Sequence, residues 1–183
     1  MTTSDCWSAM TANEDHVALL VIDVQRGLFG KSTPIYEAER LLENINALIE
    51  WAHCAEAPVV YVQHNDKKGL LKGSEDWQLH PRLHVSDAYC VVDKHHGNAF
   101  EGTILHEALR SKGIRCVVIT GLVTHGCVRA TCLGAKELGY DVILASDGHS
   151  SYNKDAARLI EEWNQKLGEE AVELRPVAEI TFG

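Results

Sequence analysis

Six consecutive apolar residues, Val17-Ala-Leu-Leu-Val-Ile22, end abruptly at Asp23. A strand with one wet face alternates apolar and polar side chains. A run without that alternation is buried on both faces, as central strands of parallel sheets are. The theme then recurs. Pro58-Val-Val-Tyr-Val-Gln63, Asp87-Ala-Tyr-Cys-Val-Val92 with Lys94 closing it, Cys116-Val-Val-Ile-Thr120 and Asp141-Val-Ile-Leu-Ala145 read as further strands, and Val172-Glu-Leu-Arg175 as an edge-like last one. Between them, Ile35, Ala38, Leu41, Leu42, Ile45, Leu48, Ile49 and Ala52 recur at three- and four-residue steps, which predicts an amphipathic helix from Pro34 to His53 with proline in its first turn. Further helices are expected over Phe100–Lys112, stopped by Gly113, over Cys127–Leu138, stopped by Gly139, and over Asn153–Leu167.

Strands alternating with helices require crossover connections. The expected fold is therefore α/β: a three-layer α-β-α sandwich around a mainly parallel, doubly wound, Rossmann-like sheet of about six strands. The 183 residues suit one domain, residues 17–183, behind a polar N-terminal arm, residues 1–16. A net charge of −9 without a basic block argues against a nucleic-acid partner, and no apolar stretch approaches the ~20 residues of a membrane span. Met1 to Glu14 carries no Lys or Arg and no apolar block, so it does not read as a secretory signal. The six cysteines form no C-x-x-C pair and are expected as reduced thiols in the cytoplasm. What remains is a small-molecule ligand. The long polar connection from His64 to about Ser86, with Trp77 as its one large apolar side chain, is the natural place for selectivity. Its His64, His80 and His84 either hold a metal or are ordinary loop and pocket residues; no zinc-type spacing is present, and no metal or cofactor is expected.

In open α/β sheets the ligand sits outside the carboxyl ends of the strands. Three reactive residues fall there: Asp23 after the first strand, Lys94 after the third, and Cys127 at the start of the helix that follows Thr120-Gly121. A helix N-terminus and a neighbouring ammonium would both favour a thiolate, whose thiol ordinarily has a pKa near 8.5. A carboxylate could carry the thiol proton to a leaving group, and the turn from Gly121 to Cys127 could aim backbone N–H groups at an oxyanion. Each residue also has a plain reading: Asp23 capping a turn, Lys94 in solvent, Cys127 as a small core residue. Cys132 lies little more than one helical turn past Cys127, which leaves a redox pair as a weaker reading.

Several blocks make the chain recognisable: Leu19-Leu-Val-Ile-Asp-Val-Gln25; Lys94 with Asn98-Ala-Phe100 and Gly102-Thr103; Val118-Ile-Thr-Gly-Leu-Val-Thr124 continuing to Cys127-Val-Arg-Ala-Thr131; Gly139-Tyr140; and Ser146-Asp147. Together they resemble the isochorismatase-like cysteine hydrolases, a superfamily that includes nicotinamidases, N-carbamoylsarcosine amidohydrolases, and streptothricin and ureidoacrylate hydrolases. The resemblance runs from about Val17 to Ser151. It implies a catalytic triad of Asp23, Lys94 and Cys127, and an oxyanion hole from the amides of Val123 and Cys127, set by a cis peptide between Leu122 and Val123. Thr124 would fix that loop. Phe29, Trp77, Phe100 and His125 would line the substrate pocket, and the family's habit of assembly implies a homodimer or higher homo-oligomer.

Departures from the family pattern narrow the chemistry. Where nicotinamidases carry a metal-holding D-x-H, this chain reads Gln63-His-Asn-Asp66, which disfavours a metal-dependent nicotinamidase. Isochorismatases proper cleave a vinyl ether without a cysteine at this place, so Cys127 favours hydrolysis of an amide, ureido or carbamoyl C–N bond through an acyl-enzyme. Ether hydrolysis and a catalytically silent scaffold remain the alternatives. Gly30-Lys31-Ser32 lacks the glycine that should open a P-loop (Gln25 stands there), and neither G-x-G-x-x-G nor G-x-S-x-G occurs where a dinucleotide enzyme or a serine hydrolase needs it.

Overall fold

The central strand β1 (Val17–Ile22) is buried along its whole length. Val17, Leu19 and Val21 point into one apolar cluster and Ala18, Leu20 and Ile22 into another, one on each side of the sheet. Fully burying a leucine or isoleucine contributes about 1.5–3 kcal/mol, so this one strand anchors both layers. The computed structural model describes Trp7, residues 16–86 and residues 89–183. The rest of the expected N-terminal arm, and Asp87 and Ala88 of the expected third strand, lie outside them.

Around β1 stand β2 (Val59–His64), β3 (Cys90–Lys94), β4 (Cys116–Leu122), β5 (Asp141–Ser150) and β6 (Glu173–Arg175). The six form one sheet in the order β3-β2-β1-β4-β5-β6, and every neighbouring pair is parallel. The expected doubly wound sheet is thus the observed one. The chain leaves β1 towards β2 and returns on its other side as β4, so the order reverses between β1 and β4, where such folds open a crevice. A short helix, α1 (Arg26–Phe29), follows β1. Helix α2 (Ala38–Cys54) covers one face through Leu41, Leu42, Ile45, Leu48 and Ile49. On the other face pack α3 (Leu105–Ser111), α4 (Arg129–Glu137) and α5 (Ala156–Glu169), which contribute Leu105, Leu109, Cys132, Ala135 and Leu167 to the second cluster. Among the described residues no helix is long and apolar enough to cross a membrane.

Helix α3 begins at Leu105, not at the expected Phe100, and α5 at Ala156, not at Asn153; two further differences bear on the rim of the sheet. Helix α2 begins at Ala38, not Pro34, because Glu37 takes a left-handed φ of 47° and the segment before it is tied to the end of β5: Tyr36 N–H donates to the Ser151 carbonyl at 3.0 Å and Ser150 Oγ to the Tyr36 carbonyl at 2.7 Å. β5 does not stop at Ala145. Its pairing with β4 shifts register and resumes as Gly121↔His149 and Leu122↔Ser150, so the polar Ser146-Asp-Gly148 is an irregularity within a strand instead of a turn. Gly121 permits a close approach between β1 and β4. It has φ +118°, and a Cβ there would lie 2.1 Å from the Ile22 carbonyl oxygen, so no other residue fits between β1 and β4 at the rim.

Candidate active site

At the end of β1 the backbone kinks: Asp23 has φ +51°, its N–H donates to the Val62 carbonyl at 2.9 Å, and its side chain is turned inward, leaving the residue 2% exposed. Lys94 is the last residue of β3, paired in register with His64 at the end of β2. Its side chain is fully buried, and Nζ lies 2.8 Å from Asp23 Oδ2, 3.0 Å from His64 Nδ1, 3.1 Å from the His96 carbonyl oxygen and 3.2 Å from Cys127 Sγ. Cys127 reaches this point from a five-residue π-type turn, Thr124–Val128, that leads into α4. Asp23, Lys94 and Cys127, separated by 71 and 33 residues along the chain, therefore meet at one rim.

The thiol departs from expectation. Cys127 does not open a regular helix: Gly126 just before it has φ −109° and ψ −110°, and α4 begins only at Arg129. Burial, with the Asp23 charge second, pushes the thiol up to about 12 against the pull of Lys94, so the sulfur rests protonated rather than as a thiolate. Burial also raises the Asp23 carboxyl above its ordinary range, with the Lys94 ammonium opposing it. A carboxylate made more basic is better matched to take a proton from sulfur. Its Oδ2 is held by Lys94, and the Cys127 thiol lies within hydrogen-bonding reach of the same buried carboxylate.

Carboxylate, imidazole and sulfur atoms of Asp23, His64 and Cys127 lie within 4.8 Å of one another, a donor set that could hold a small cation. The Lys94 ammonium already contacts all three residues, so the protein supplies its own positive charge there. The three loop histidines do not form a common metal site. His64 faces Lys94, the His80 ring packs 4.3 Å from Phe29, and His84 Nδ1 lies 2.7 Å from Glu50 on the surface.

The peptide between Leu122 and Val123 is cis. Thr124, next along, is braced by groups the sequence reading missed: its Oγ1 lies 2.9 Å from His149 Nδ1 and 3.1 Å from the Ser150 carbonyl, and His149 Nε2 lies 2.8 Å from Asn164 Oδ1. Asn164 Nδ2 donates to the Ser146 carbonyl, which orients its oxygen towards the imidazole. Burial holds His149 down to about 4, so it stays neutral, donating from Nε2 and accepting at Nδ1. Because the folded pKa lies below the ~6.5 of an unfolded histidine, the stabilisation is complete above pH 6.5 and is lost as the pH falls towards 4. Melting curves are expected to show a loss on the order of 3 kcal/mol across that window, reduced in His149→Gln; an unchanged acid slope in the variant would exclude His149 as the cause.

Phe100 corrects the expectation of a pocket wall. It is 8% exposed and stacks on Tyr140 at 5.6 Å, within the core. Trp77 and His125 are both half-buried, with Trp77 Nε1 and His125 Nδ1 making no hydrogen bond among the described groups. The Trp77 carbonyl, in contrast, receives two buried amides, Gln25 Nε2 at 2.9 Å and Gln63 Nε2 at 2.7 Å, so the centre of the His64–Ser86 connection is pinned to the ends of β1 and β2.

Known proteins share this architecture. Residues 17–166 match the isochorismatase domain family model. A secreted isochorismatase effector, Isc1, of Verticillium dahliae is 31% identical over 156 residues, 82% of either chain. A streptothricin hydrolase of Streptomyces noursei is 32% identical over 142 residues, which are 76% of this chain; the matched part spans about half of that hydrolase, 51%. A crystal structure of an isochorismatase family protein superposes with a TM-score of 0.83 at 28% identity, covering 87% of this chain and 98% of the other.

Proposed function

From its place in the isochorismatase family, to which the chain belongs, we propose that it is a cysteine hydrolase of small-molecule C–N bonds: amide, ureido or carbamoyl. The observation that carries this reading is the buried Lys94 ammonium, 2.8 Å from a carboxylate and 3.2 Å from a thiol. Cys127 Sγ attacks the substrate carbonyl carbon as its proton passes to Asp23 Oδ1, and the carbonyl π electrons move onto oxygen. The backbone amides of Val123 and Cys127 receive that oxyanion. As the C–O double bond reforms, the C–N bond breaks and Asp23 returns the proton to the leaving nitrogen. A water, deprotonated by Asp23, then attacks the thioester, and the sulfur leaves and recovers a proton. Lys94 stays beside the negative charge as it moves between carboxylate and sulfur.

The streptothricin hydrolase relative supports hydrolysis of a small molecule, and the thiols of Cys54, Cys116, Cys127 and Cys132, none of them in a disulfide, suit a reducing, cytoplasmic setting. The test is ammonia release from a panel of small primary amides, ureides and carbamoyl compounds, with and without a chelator. At least one is expected to be hydrolysed at a rate the chelator leaves unchanged. A panel wholly inert to a folded protein would overturn the C–N reading and direct attention to ether substrates.

A further inference from the structure

The Lys94 ammonium has three hydrogens and four acceptors within 3.2 Å: Asp23 Oδ2, His64 Nδ1, the His96 carbonyl and Cys127 Sγ. Two of the four are neutral and unchanged by the proposed chemistry, His64 and the His96 carbonyl. The other two exchange a negative charge when the thiol proton moves. An ammonium held by the neutral pair can turn its third hydrogen from carboxylate to sulfur without leaving its place. We propose that His64 is a positioning residue for Lys94, required in its neutral form with Nδ1 accepting and Nε2 protonated. The proposal rests on the hydrolase reading above.

The placement of His64 is built. Gln25, itself fully buried, accepts from the His64 N–H through Oε1 at 2.8 Å and donates through Nε2 to its carbonyl at 3.0 Å, so both backbone groups of His64 are clamped at the end of β2. An ammonium offers no lone pair, so Nδ1 must accept in this contact. The groups facing the ring are Lys94 and His95 from β3 and its end, Asp23 after β1, Asp66 on its own loop and Cys127 from the turn. Burial first and Lys94 second hold His64 below the ordinary histidine range, which keeps it neutral at neutral pH. Below that range a protonated ring would repel the ammonium and lose its acceptor.

Two measurements on the full chain decide the matter. In ¹⁵N NMR of the imidazole, the proton is expected on Nε2, with a titration below that of free histidine that moves upward in Lys94→Met. A proton on Nδ1, or the same titration in both proteins, would overturn the proposal. The second is hydrolysis of 4-nitrophenyl acetate against pH, corrected with Cys127→Ala. His64→Ala is expected to lower kcat/KM by about 10–100-fold at pH 7.5. His64→Asn, whose amide oxygen can occupy the place of Nδ1, should recover most of that loss while changing the shape of the acid limb expected of wild type, leaving the part set by Asp23 alone. A His64→Asn profile with the wild-type acid limb, or full activity in His64→Ala, would refute the positioning role. If wild type leaves the ester intact, the substrate found in the ammonia assay takes its place; an ester and a C–N panel both inert overturn the hydrolase reading, and the NMR result still decides the state of His64.

Discussion

Cys127→Ala is expected to lower turnover by at least ~10⁴-fold while the protein remains folded, because the attacking sulfur is gone. Sulfur is removed from a turn whose backbone comes from Val123 to Arg129, so the lost packing is small beside the loss of chemistry. Cys127→Ser sharpens the test. A hydroxyl is a much weaker acid than a thiol, and Asp23 has only a carboxylate's basicity, raised by burial, with which to activate it. The serine variant should therefore be nearly as inactive as alanine. Mass spectrometry after 4-nitrophenyl acetate should find an acetyl group on wild-type Cys127 and none on either variant. Turnover that survives in Cys127→Ala would remove the nucleophile assignment while leaving the fold as described.

Lys94→Met is expected to abolish activity and also to destabilise the protein by about 3–5 kcal/mol, the usual cost of breaking a buried ion pair on one side. Methionine fills the channel of the lysine stem, so the loss arises from Asp23, left buried without its cation. With Lys94 gone, the folded-state pKa of Asp23 rises still further above its unfolded value. The penalty is then smallest at low pH, where the carboxyl is protonated in both states, and grows as the pH climbs through the folded pKa. Urea titrations at pH 5 and pH 8 should show this trend. Asp23→Leu added to Lys94→Met should recover at least half of the lost stability and none of the activity. A Lys94→Met protein as stable as wild type at pH 8 would show that the pair is not coupled as the 2.8 Å contact requires.

Much of this arrangement was legible in the residues. The strands buried on both faces announce themselves as unbroken apolar runs, and Asp23, Lys94 and Cys127 stand out because each follows such a run or the turn beyond it. The remainder depends on directions that a one-dimensional pattern does not carry. His64 occupies the end of β2 just as Lys94 ends β3, and only the register between them brings the two side chains together. His149 and Asn164 escaped because Ser146-Asp-Gly148 has the composition of a turn, whereas β5 resumes beyond it and carries the histidine under Thr124. Phe100 misled in the opposite sense: it sits in a family-like block, yet its ring belongs with Tyr140 in the core. The turn at Cys127 differs for a physical reason too: Gly126 breaks the helical path before it, and the burial that results raises the thiol against the pull of the ammonium.

The two glutamines that converge on the Trp77 carbonyl have a consequence for how the protein can diversify. They fasten the middle of the connection between β2 and β3 to the scaffold. The span after Asp66 is tied down as well: Asp66 Oδ1 gathers the amides of Lys68, Gly69 and Leu70, the Leu70 side chain is buried in the core, and Lys72 pairs with Asp93, the neighbour of Lys94 in β3, at 2.7 Å, so a change of length there pulls on the strand that carries the lysine. Loop and strand ends are in this sense mechanically coupled, so neither can drift far in length while the other stays fixed.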